Sequence, residues 1–283
     1  MNKFEKRDGN TLVKILIYVV CIAFAILSIW PFWIMFVNAT RSSVEIQASA
    51  VGFIPSTHSV QNFAVFDGKS FDVLSGLKNS AIISICSTAC TIYFSTMTAY
   101  ALVAYQWKLR NAFFTFILCI MMIPTVVTSI GTYQFMYQLG LVNNLLALII
   151  PAVAAPAAIF FMRQFMVASF PIEILDSARI DGSGEFRTFN QIALPIMKPA
   201  MATQAIFTFV GSWNNLFLPS ILLTKSELKT LPVMVSMLKG DIYKVEYGAV
   251  YLGLSLTVLP LFVIYFALSK YIIGGVALGS VKG

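Results

Sequence analysis

Charged side chains are scarce in this sequence. Only 11% of the 283 residues are Asp, Glu, Lys or Arg, whereas 58% are hydrophobic, and the mean hydropathy is +0.82. An ordinary soluble domain is about 25% charged and about 45–50% apolar, so the composition excludes a soluble domain and predicts an integral membrane protein. The net charge of +7 is expected to reflect basic residues that hold loops in the cytoplasm, and it predicts no nucleic-acid partner.

The sequence also lacks the residues that metal sites and hydrolytic enzymes need. His58 is the only histidine, and one histidine cannot form a metal cluster. Cys86 and Cys90 have the spacing of neighbours on one helix, but no histidine or carboxylate is close to them in the sequence, which favours small buried hydrophobic residues. There is no Walker sequence and no Ser, His and Asp set. We therefore expect no metal, no cofactor and no catalysis on this chain, so that any energy comes from another chain.

Long runs without charge indicate how the chain crosses the membrane. A span needs about 20 predominantly apolar residues. We predict an all-α, polytopic protein that forms a single transmembrane domain over residues 1–283. Its six predicted spans are at about 15–40, 79–107, 111–136, 145–167, 199–224 and 247–269. The first run is too long for the core of a secretory signal, about 7–15 residues, and is expected to be retained as a span. Pro151 and Pro156 predict a kink or break in the fourth span.

No predicted span carries Asp, Glu, Lys or Arg in its interior, since Arg163 lies near the end of the fourth span. Carriers that are coupled to protons or ions usually keep an ionisable residue in the membrane, because coupling needs a titratable or cation-binding group. This absence disfavours a stand-alone secondary carrier. Backbone carbonyl groups can also bind Na⁺, so the secondary carrier stays as an alternative.

Lys and Arg are unevenly distributed over the loops between these spans. Six spans place both termini on one side, and 12 of the 19 basic residues then lie on that side, with seven opposite. Because cytoplasmic loops carry an excess of Lys and Arg, both termini are predicted to be cytoplasmic. The loop between spans four and five then lies in the cytoplasm as well.

That loop, residues 171–198, carries seven charged side chains between two apolar segments. Its sequence predicts two amphipathic pieces on either side of a turn at Asp181–Gly184, with a positive φ at Gly182. Asp176 and Arg179 are three residues apart and are predicted to pair weakly. The apolar face of the first piece consists of Ile174, Leu175 and Ala178. Ser183 is a candidate N-cap for the second piece, which carries Phe186 and Phe189 on one face. Such a helix–turn–helix is either a connector that lies on the lipid headgroups or a docking element for a soluble partner.

A spacing pattern in this loop resembles the cytoplasmic signature of ABC-importer permeases. Asp176-Ser177-Ala178 is followed after three residues by Gly182 and after nine more by Ile192-Ala193-Leu194-Pro195. The family pattern has Glu and Ala where this sequence has Asp176 and Ser177. The extended pattern Pro-x-Glu-Ile to Ala-Arg-Ile-Asp-Gly is similar to the maltose-type carbohydrate permeases in particular. Further matches to that family are Ile206-Phe207 with Trp213-Asn214, Thr230-Leu231-Pro232-Val233, and Gly275 and Gly279 with Val281-Lys282-Gly283.

The resemblance implies a transmembrane subunit of an ATP-driven importer in the bacterial cytoplasmic membrane. It implies a second homologous permease, two ATP-binding subunits that hold ATP and Mg, an extracytoplasmic solute-binding protein and a sugar substrate, in contact with membrane lipid. The residues implied to couple the chain to the ATPase are Glu173, Asp176, Ser177, Ala178, Arg179, Asp181, Gly182 and Phe186. A permease for another solute, such as a glycerol phosphate or an amino acid, stays as an alternative. A phosphate would favour cations in the cavity, and no span supplies one.

Neutral polar residues within the spans are candidates for the solute path. They are Trp213, Asn214, Asn215, Gln204 and Ser84. An aromatic ring can stack on the apolar face of a sugar while amide groups exchange hydrogen bonds with its hydroxyl groups. The alternatives are an interfacial Trp with capping asparagines, and a serine that only supports packing between helices.

Overall fold

The computed structural model describes residues 11–68, 71–240 and 245–280. This part of the chain contains α-helices and no strand, so the predicted all-α class is confirmed. The first seven α-helices are α1 Thr11–Asn38, α2 Ser43–Ala48, α3 Ser59–Gly68, α4 Val73–Ala104, α5 Arg110–Met121, α6 Thr125–Gln138 and α7 Leu146–Ile149. The remaining seven are α8 Pro156–Ser169, α9 Glu173–Ile180, α10 Glu185–Thr188, α11 Leu194–Trp213, α12 Phe217–Leu222, α13 Leu231–Lys239 and α14 Tyr247–Ser280. The matched residues Val281–Gly283 and the basic residues before Thr11 lie outside the described part.

Five helical segments among the described residues are long and apolar enough to cross a membrane. They are Val13–Asn38, Val73–Ala104, Leu146–Ser169, Glu185–Trp213 and Tyr247–Ala267. The pair α5 and α6 is a sixth span if it is counted as one. By packing, the chain divides into two compact units, residues 1–66 with 238–255 and residues 67–237 with 256–283.

The second unit is built around α4, which packs against α8 and α11. The core of this packing consists of Ile92, Ala99, Tyr100, Met162, Met166, Phe170, Leu175, Phe189, Ala193, Met197 and Ala200. Ala99 and Ala193 are fully buried, and small residues at such positions let helix backbones approach closely. Because the core includes Leu175 and Phe189, the charged loop is packed onto the spans rather than tethered by its ends.

A break interrupts the fourth span where two prolines stand. Its helix changes to a 3₁₀ segment at Ile150–Val153 and resumes at Pro156, which is where the sequence predicts a kink. Pro156 has no N–H group for the carbonyl of Ala152, four residues earlier. The hydroxyl of Thr91 on α4 donates to that carbonyl at 2.8 Å. The exposed backbone acceptor is thus satisfied by a neighbouring span, as the interior of a membrane requires.

The predicted third span, residues 111–136, is not one straight helix. α5 ends at Met121, α6 begins at Thr125, and the two helices are bent by 100°. Pro124 causes the break, because its ring disfavours helical geometry for Ile123 and it carries no N–H group. Each half is too short to cross the hydrocarbon alone, since about 20 residues are needed.

The predicted fifth span, residues 199–224, is displaced along the chain. The observed segment runs from Glu185 to Trp213, and residues Phe217–Leu222 form a separate short helix. A π-helical turn at Phe189–Ala193 joins α10 to α11, so the second amphipathic piece is the beginning of the span itself. Pro195 lies in the first turn of α11, where its missing N–H is tolerated. The second span also begins earlier than predicted, at Val73.

The first unit contains α1, the two short helices that follow it and the beginning of α14. Asn62 is buried and donates from Nδ2 to the carbonyl groups of Ala39 and Arg41, both at 2.9 Å. Arg41 in turn donates to Asn38, so the turn after α1 is held by side chains. A residue with a Cβ at Gly248 would meet Asn62 and the Arg41 carbonyl, which explains a glycine there. α1 itself exposes apolar side chains along nearly its whole length.

Candidate functional site

The first arm of the charged loop is the amphipathic helix α9. Leu175 and Ala178 are buried against the spans, and Ile174 on the predicted apolar face is half exposed. Ile180 lies on the opposite face and is 86% exposed. An apolar side chain in that position gains nothing from the chain's own core. The sequence prediction missed Ile180, although an apolar residue on the polar face of an amphipathic helix was a visible signal.

The turn after α9 depends on Gly182. Its φ is +78°, as the signature predicts, and the amide of Ser183 donates to the carbonyl of Ala178 while the amide of Gly182 donates to that of Arg179. These two bonds are the Schellman pattern, which satisfies the last carbonyl groups of a helix. No atom lies within 4 Å of a Cβ built at Gly182, so backbone conformation and not space explains the glycine.

The predicted N-cap Ser183 is wrong. α10 begins at Glu185 after Gly184, and no side chain caps it. The Ser183 hydroxyl lies instead 2.9 Å from the hydroxyl of Thr188, which donates to it and holds the turn to the second arm. The Schellman turn uses the backbone of Ser183 to end α9, so the residue is not placed to begin the next helix.

Arg179 joins both arms of the turn to the end of α4. Its Nε donates to Glu185 Oε1 at 2.9 Å, and its Nη1 donates to Asp176 Oδ1 at 3.1 Å, the pair predicted from their spacing. Its Nη2 donates to the backbone carbonyl of Ala104, the last residue of α4, at 3.2 Å. Glu185 also accepts from the hydroxyl of Tyr100 on α4 at 3.0 Å. Through these hydrogen bonds, a displacement of the turn is transmitted directly to the end of α4.

The electrostatics of this cluster keep it in one charge state. The hydrogen bond to Glu185 is the largest cause that raises the pKa of Arg179, so the guanidinium stays charged. Burial, followed by the Glu185 carboxylate, raises the pKa of Tyr105, so its phenol stays neutral. The guanidinium of Arg179 and the phenol of Tyr105 are consequently a charged donor and a neutral group beside the Glu185 carboxylate.

The two phenylalanines of the second arm have opposite surroundings. Phe186 is 72% exposed, whereas Phe189 is 2% exposed. The ring of Phe189 contacts the rings of Tyr93 and Tyr100, at centroid distances of 5.7 and 5.4 Å. Phe189 is therefore not available to a partner, because the chain's own core covers it. Phe186 is free to contact another protein.

The outer surface of the loop is apolar at its centre and charged at its rim. A shallow groove of about 380 Å³ lies between α9 and the following segment, lined by Ile174, Ser177, Ala178, Asp181, Gly182, Ser183, Arg187, Gln191 and Ile192. The exposed apolar side chains of the loop are Ile172, Ile174, Ile180 and Phe186. Glu173, Asp176 and Asp181 are exposed beside them. Exposed apolar groups with a polar rim are typical of a protein interaction surface.

The structure places the solute-path candidates in several environments. Trp213 is 2% exposed, stacks on Phe209 at 5.7 Å and donates from Nε1 to the Thr257 carbonyl at 2.9 Å. Its ring and its N–H group are thus both occupied within this chain. Asn214, the next residue, is exposed, and Asn215 is half-buried.

The other two candidates lie on different helices. Gln204 on α11 is half-buried and donates to Thr208 at 3.4 Å. Ser84 on α4 is 1% exposed, and its hydroxyl has no hydrogen-bond partner within the described part of the chain. The structure therefore does not gather the five candidates into one pocket. Among the described residues, no group of three His, Cys, Asp or Glu side chains is placed to hold a metal ion.

Several apolar spans, with a polar helix–turn–helix anchored to one of them, define the class of the protein as a polytopic membrane protein. Residues 91–277 match the family described as the binding-protein-dependent transport system inner membrane component, and the chain belongs to this family. The resemblance to ABC-importer permeases of the carbohydrate type is thereby confirmed. Members of this family are transport subunits and not catalytic ones.

Relatives and a solved structure agree with this assignment. The chain is 33% identical over 280 residues to an arabinooligosaccharides transport system permease of Halalkalibacterium halodurans, covering 98% of this chain and 100% of the relative. It is 34% identical over 258 residues to a lactose transport system permease of Rhizobium radiobacter, covering 91% of this chain and 92% of the relative. A chain from a bacterial ABC transporter involved in the import of the acidic polysaccharide alginate has the same fold, with a TM-score of 0.78 at 20% identity over 96% and 100% of the two chains.

Proposed function

We propose that this chain is the membrane-spanning subunit of an ATP-driven importer for a sugar or oligosaccharide, and that the turn around Gly182 docks onto an ATPase subunit. The observation that carries the proposal is the turn itself. It has the signature spacing and a glycine with φ of +78°. It exposes Ile180 and Phe186, while Arg179 fixes it to α4. A connector that only lay on headgroups would need no such anchor.

The partners follow from what this chain lacks. It has no Walker sequence, so ATP and Mg belong to separate ATPase subunits, and this chain binds no cofactor of its own. The exposed apolar length of α1 supports contact with lipid and with a second homologous permease. The names of the relatives support a carbohydrate as the solute, and the family description supports its delivery by an extracytoplasmic binding protein. The distribution of Lys and Arg supports cytoplasmic termini and a cytoplasmic turn.

The mechanism is mechanical coupling through α4 and α11. Closure of the ATPase subunits would move the turn, and the Arg179 contacts with Glu185 and Ala104 pass that movement to the end of α4. The second arm is continuous with α11, so this span moves with the turn as well. The two helices pack against each other in the core, so their ends shift together and a central path opens first to one side and then to the other.

For the solute path, the proposal favours Asn214 over Trp213. Asn214 is exposed at the end of α11, and an amide can donate to and accept from sugar hydroxyl groups. Gln204, Asn215 and Ser84 remain proposed as further polar groups along the path. Trp213 holds α11 to α14 through Thr257, and its proposed role is to position Asn214.

Asn214→Ala should reduce solute uptake without loss of complex assembly, whereas unchanged uptake kinetics would remove Asn214 from the path.

The test of the docking proposal truncates the two exposed apolar side chains of the turn, Phe186 and Ile180. Phe186→Ala should leave the folded chain intact but weaken retention of the ATPase subunits on purification about ten- to a hundredfold, because burial of one such side chain contributes about 1.5–3 kcal/mol. Ile180→Ala should act in the same direction. As a control, Lys198→Ala changes an exposed residue on the same helical segment that does not line this groove. If Phe186→Ala and Ile180→Ala retain the ATPase and import solute at the parental rate, the loop is only a connector.

A further inference from the structure

A second charged corner of the chain lies at the junction of α4 and α5 and has no role in the docking proposal. Its basic residues are Lys108, Arg110 and Arg163, the first two in the turn between these helices and the third on α8. None of the three forms an ion pair within the part of the chain that the structure describes. The positive charges of these three residues are therefore not neutralised by ion pairs among the described residues.

The sequence explains why no internal anion is available. Between Asp72 and Glu173 there is no Asp or Glu, so α4 to α8 carry no carboxylate at all. Asp176 and Glu185, which lie near the end of α4 in the fold, are both bound by Arg179. Within the described part of the chain, no carboxylate therefore forms an ion pair that neutralises this corner.

Arg163 is held in a way that keeps its charge available. Its guanidinium carbon lies 3.9 Å from the centroid of the Phe114 ring on α5, and its Nε is buried without a hydrogen-bond partner. Contact with an aromatic face orients a guanidinium but does not neutralise it. Phe114 follows Arg110 by one helical turn, so Arg110 on α5 and Arg163 on α8 lie at the same corner. A planar guanidinium is well suited to a phosphate, which it can bind with two hydrogen bonds.

The backbone and the neighbouring apolar residues add to this arrangement. No side chain caps α5 at Leu109, although the amide of Arg110 already donates to the Trp107 carbonyl at 3.1 Å. The amide groups that follow it at the helix N-terminus favour an anion. Trp107 and Phe113 are exposed and their rings lie 5.9 Å apart beside the basic turn. Amphipathic aromatic rings gather at the headgroup level of a bilayer. Phe116, a turn further along α5, is also exposed, in the direction of the hydrocarbon.

We propose that this corner binds the headgroup of an anionic glycerophospholipid, such as phosphatidylglycerol. The lipid phosphate would contact Arg163, Arg110 and the beginning of α5, and the acyl chains would lie along the exposed face of α5. A lipid is favoured over a free anion because aromatic and apolar residues surround the cations and because the corner lies at the end of membrane spans. The proposal does not depend on the docking of an ATPase.

The test measures lipid binding to the purified protein with whatever subunits copurify. Native mass spectrometry in detergent would be titrated with phosphatidylglycerol, with phosphatidylcholine and, in a separate arm, with phosphatidylglycerol in competition with inorganic phosphate. We expect retention of phosphatidylglycerol over phosphatidylcholine and no displacement by inorganic phosphate. Arg163→Gln and Arg110→Gln should each weaken phosphatidylglycerol binding about fivefold, in line with the usual contribution of one basic residue near an anionic membrane.

Two further variants make the result decisive. Lys78→Gln removes one exposed positive charge near the other end of α4 and should leave lipid binding unchanged. Arg163→Lys keeps the charge without the planar group and should retain part of the affinity, so it is informative even if Arg163→Gln does not fold. Equal binding of both lipids, an equal loss in Lys78→Gln, or displacement by inorganic phosphate would overturn the proposal.

Discussion

The backbone of Gly182 determines the direction in which the second arm leaves α9. A side chain at φ of +78° is strained by roughly 1–2 kcal/mol, so a substitution there favours a different turn. Gly182→Val should still insert into the membrane, since the spans are unaffected, but it should lose the ATPase subunits on purification. Gly184→Ala is a matched control, because its φ is −67° and the space around it is open. Equal retention of ATPase by both variants and the parent would show that the turn geometry is irrelevant to docking.

Arg179 offers a test of the connection between the turn and α4. Arg179→Gln removes the charge that holds Glu185 and Asp176, but it leaves Ile180 and Phe186 on the surface. We expect ATPase subunits to be retained while solute import per ATP hydrolysed falls several-fold. The loss of stability should be small, because partly exposed ion pairs contribute about 0–1 kcal/mol.

The matched variant for this experiment is Lys198→Gln, since Lys198 is an exposed basic residue on the segment Glu185–Trp213 and does not line the groove. It should couple like the parent. If Arg179→Gln imports solute at the parental ratio to ATP hydrolysis, movement of the turn reaches the spans by another route. If it loses the ATPase altogether, Arg179 belongs to the docking surface instead.

At the level of elements, the packing of α4 on the broken fourth span depends on Thr91. Thr91→Val keeps the shape of the side chain but leaves the Ala152 carbonyl without a donor, and an unsatisfied buried acceptor costs about 1–3 kcal/mol. The melting temperature of the purified complex should fall. Thr96→Val is the control, because Thr96 is equally buried but bonds the carbonyl of Ile92 in its own helix, which keeps its helical partner. An equal fall in both variants would mean that loss of any hydroxyl in α4 is responsible.

The same elements show how far sequence patterns predict this fold. Long charge-free runs indicate spans, and Pro151 and Pro156 predict the break in the fourth span. Pro124 also stands in the sequence, but the break at this proline was not predicted. A charge-free run indicates only that a segment is apolar enough to lie in lipid, and it does not show whether the helix is straight. The start of the fifth span at Glu185 was missed because a π-helical turn carries the helix from the charged arm into the apolar run.

Features of the candidate site that depend on local backbone chemistry were predicted from the sequence, whereas features that depend on tertiary packing were missed. The positive φ of Gly182 and the pair of Asp176 with Arg179 follow from local spacing, and the structure has both. Periodicity shows that Phe186 and Phe189 are apolar neighbours, but it cannot tell which of them the chain's own core covers. The contact of Glu185 with Tyr100 joins residues that are 85 positions apart, so no local pattern could reveal it.

On the scale of the whole molecule, the decisive property is which side of the membrane each loop faces. The Lys and Arg distribution predicts that the turns at Lys108 and Arg187 are cytoplasmic and that Gly68 and Lys225 face outward. All four positions are exposed, so single cysteines there should report the solvent and not the packing. In a background in which the four native cysteines are alanine, an impermeant thiol reagent should label Gly68→Cys and Lys225→Cys in intact cells. Lys108→Cys and Arg187→Cys should be labelled only after the membrane is opened, which is the control that these thiols are reactive. The reverse pattern would place the Gly182 turn outside the cell, where no ATPase is available, and the docking proposal would be wrong.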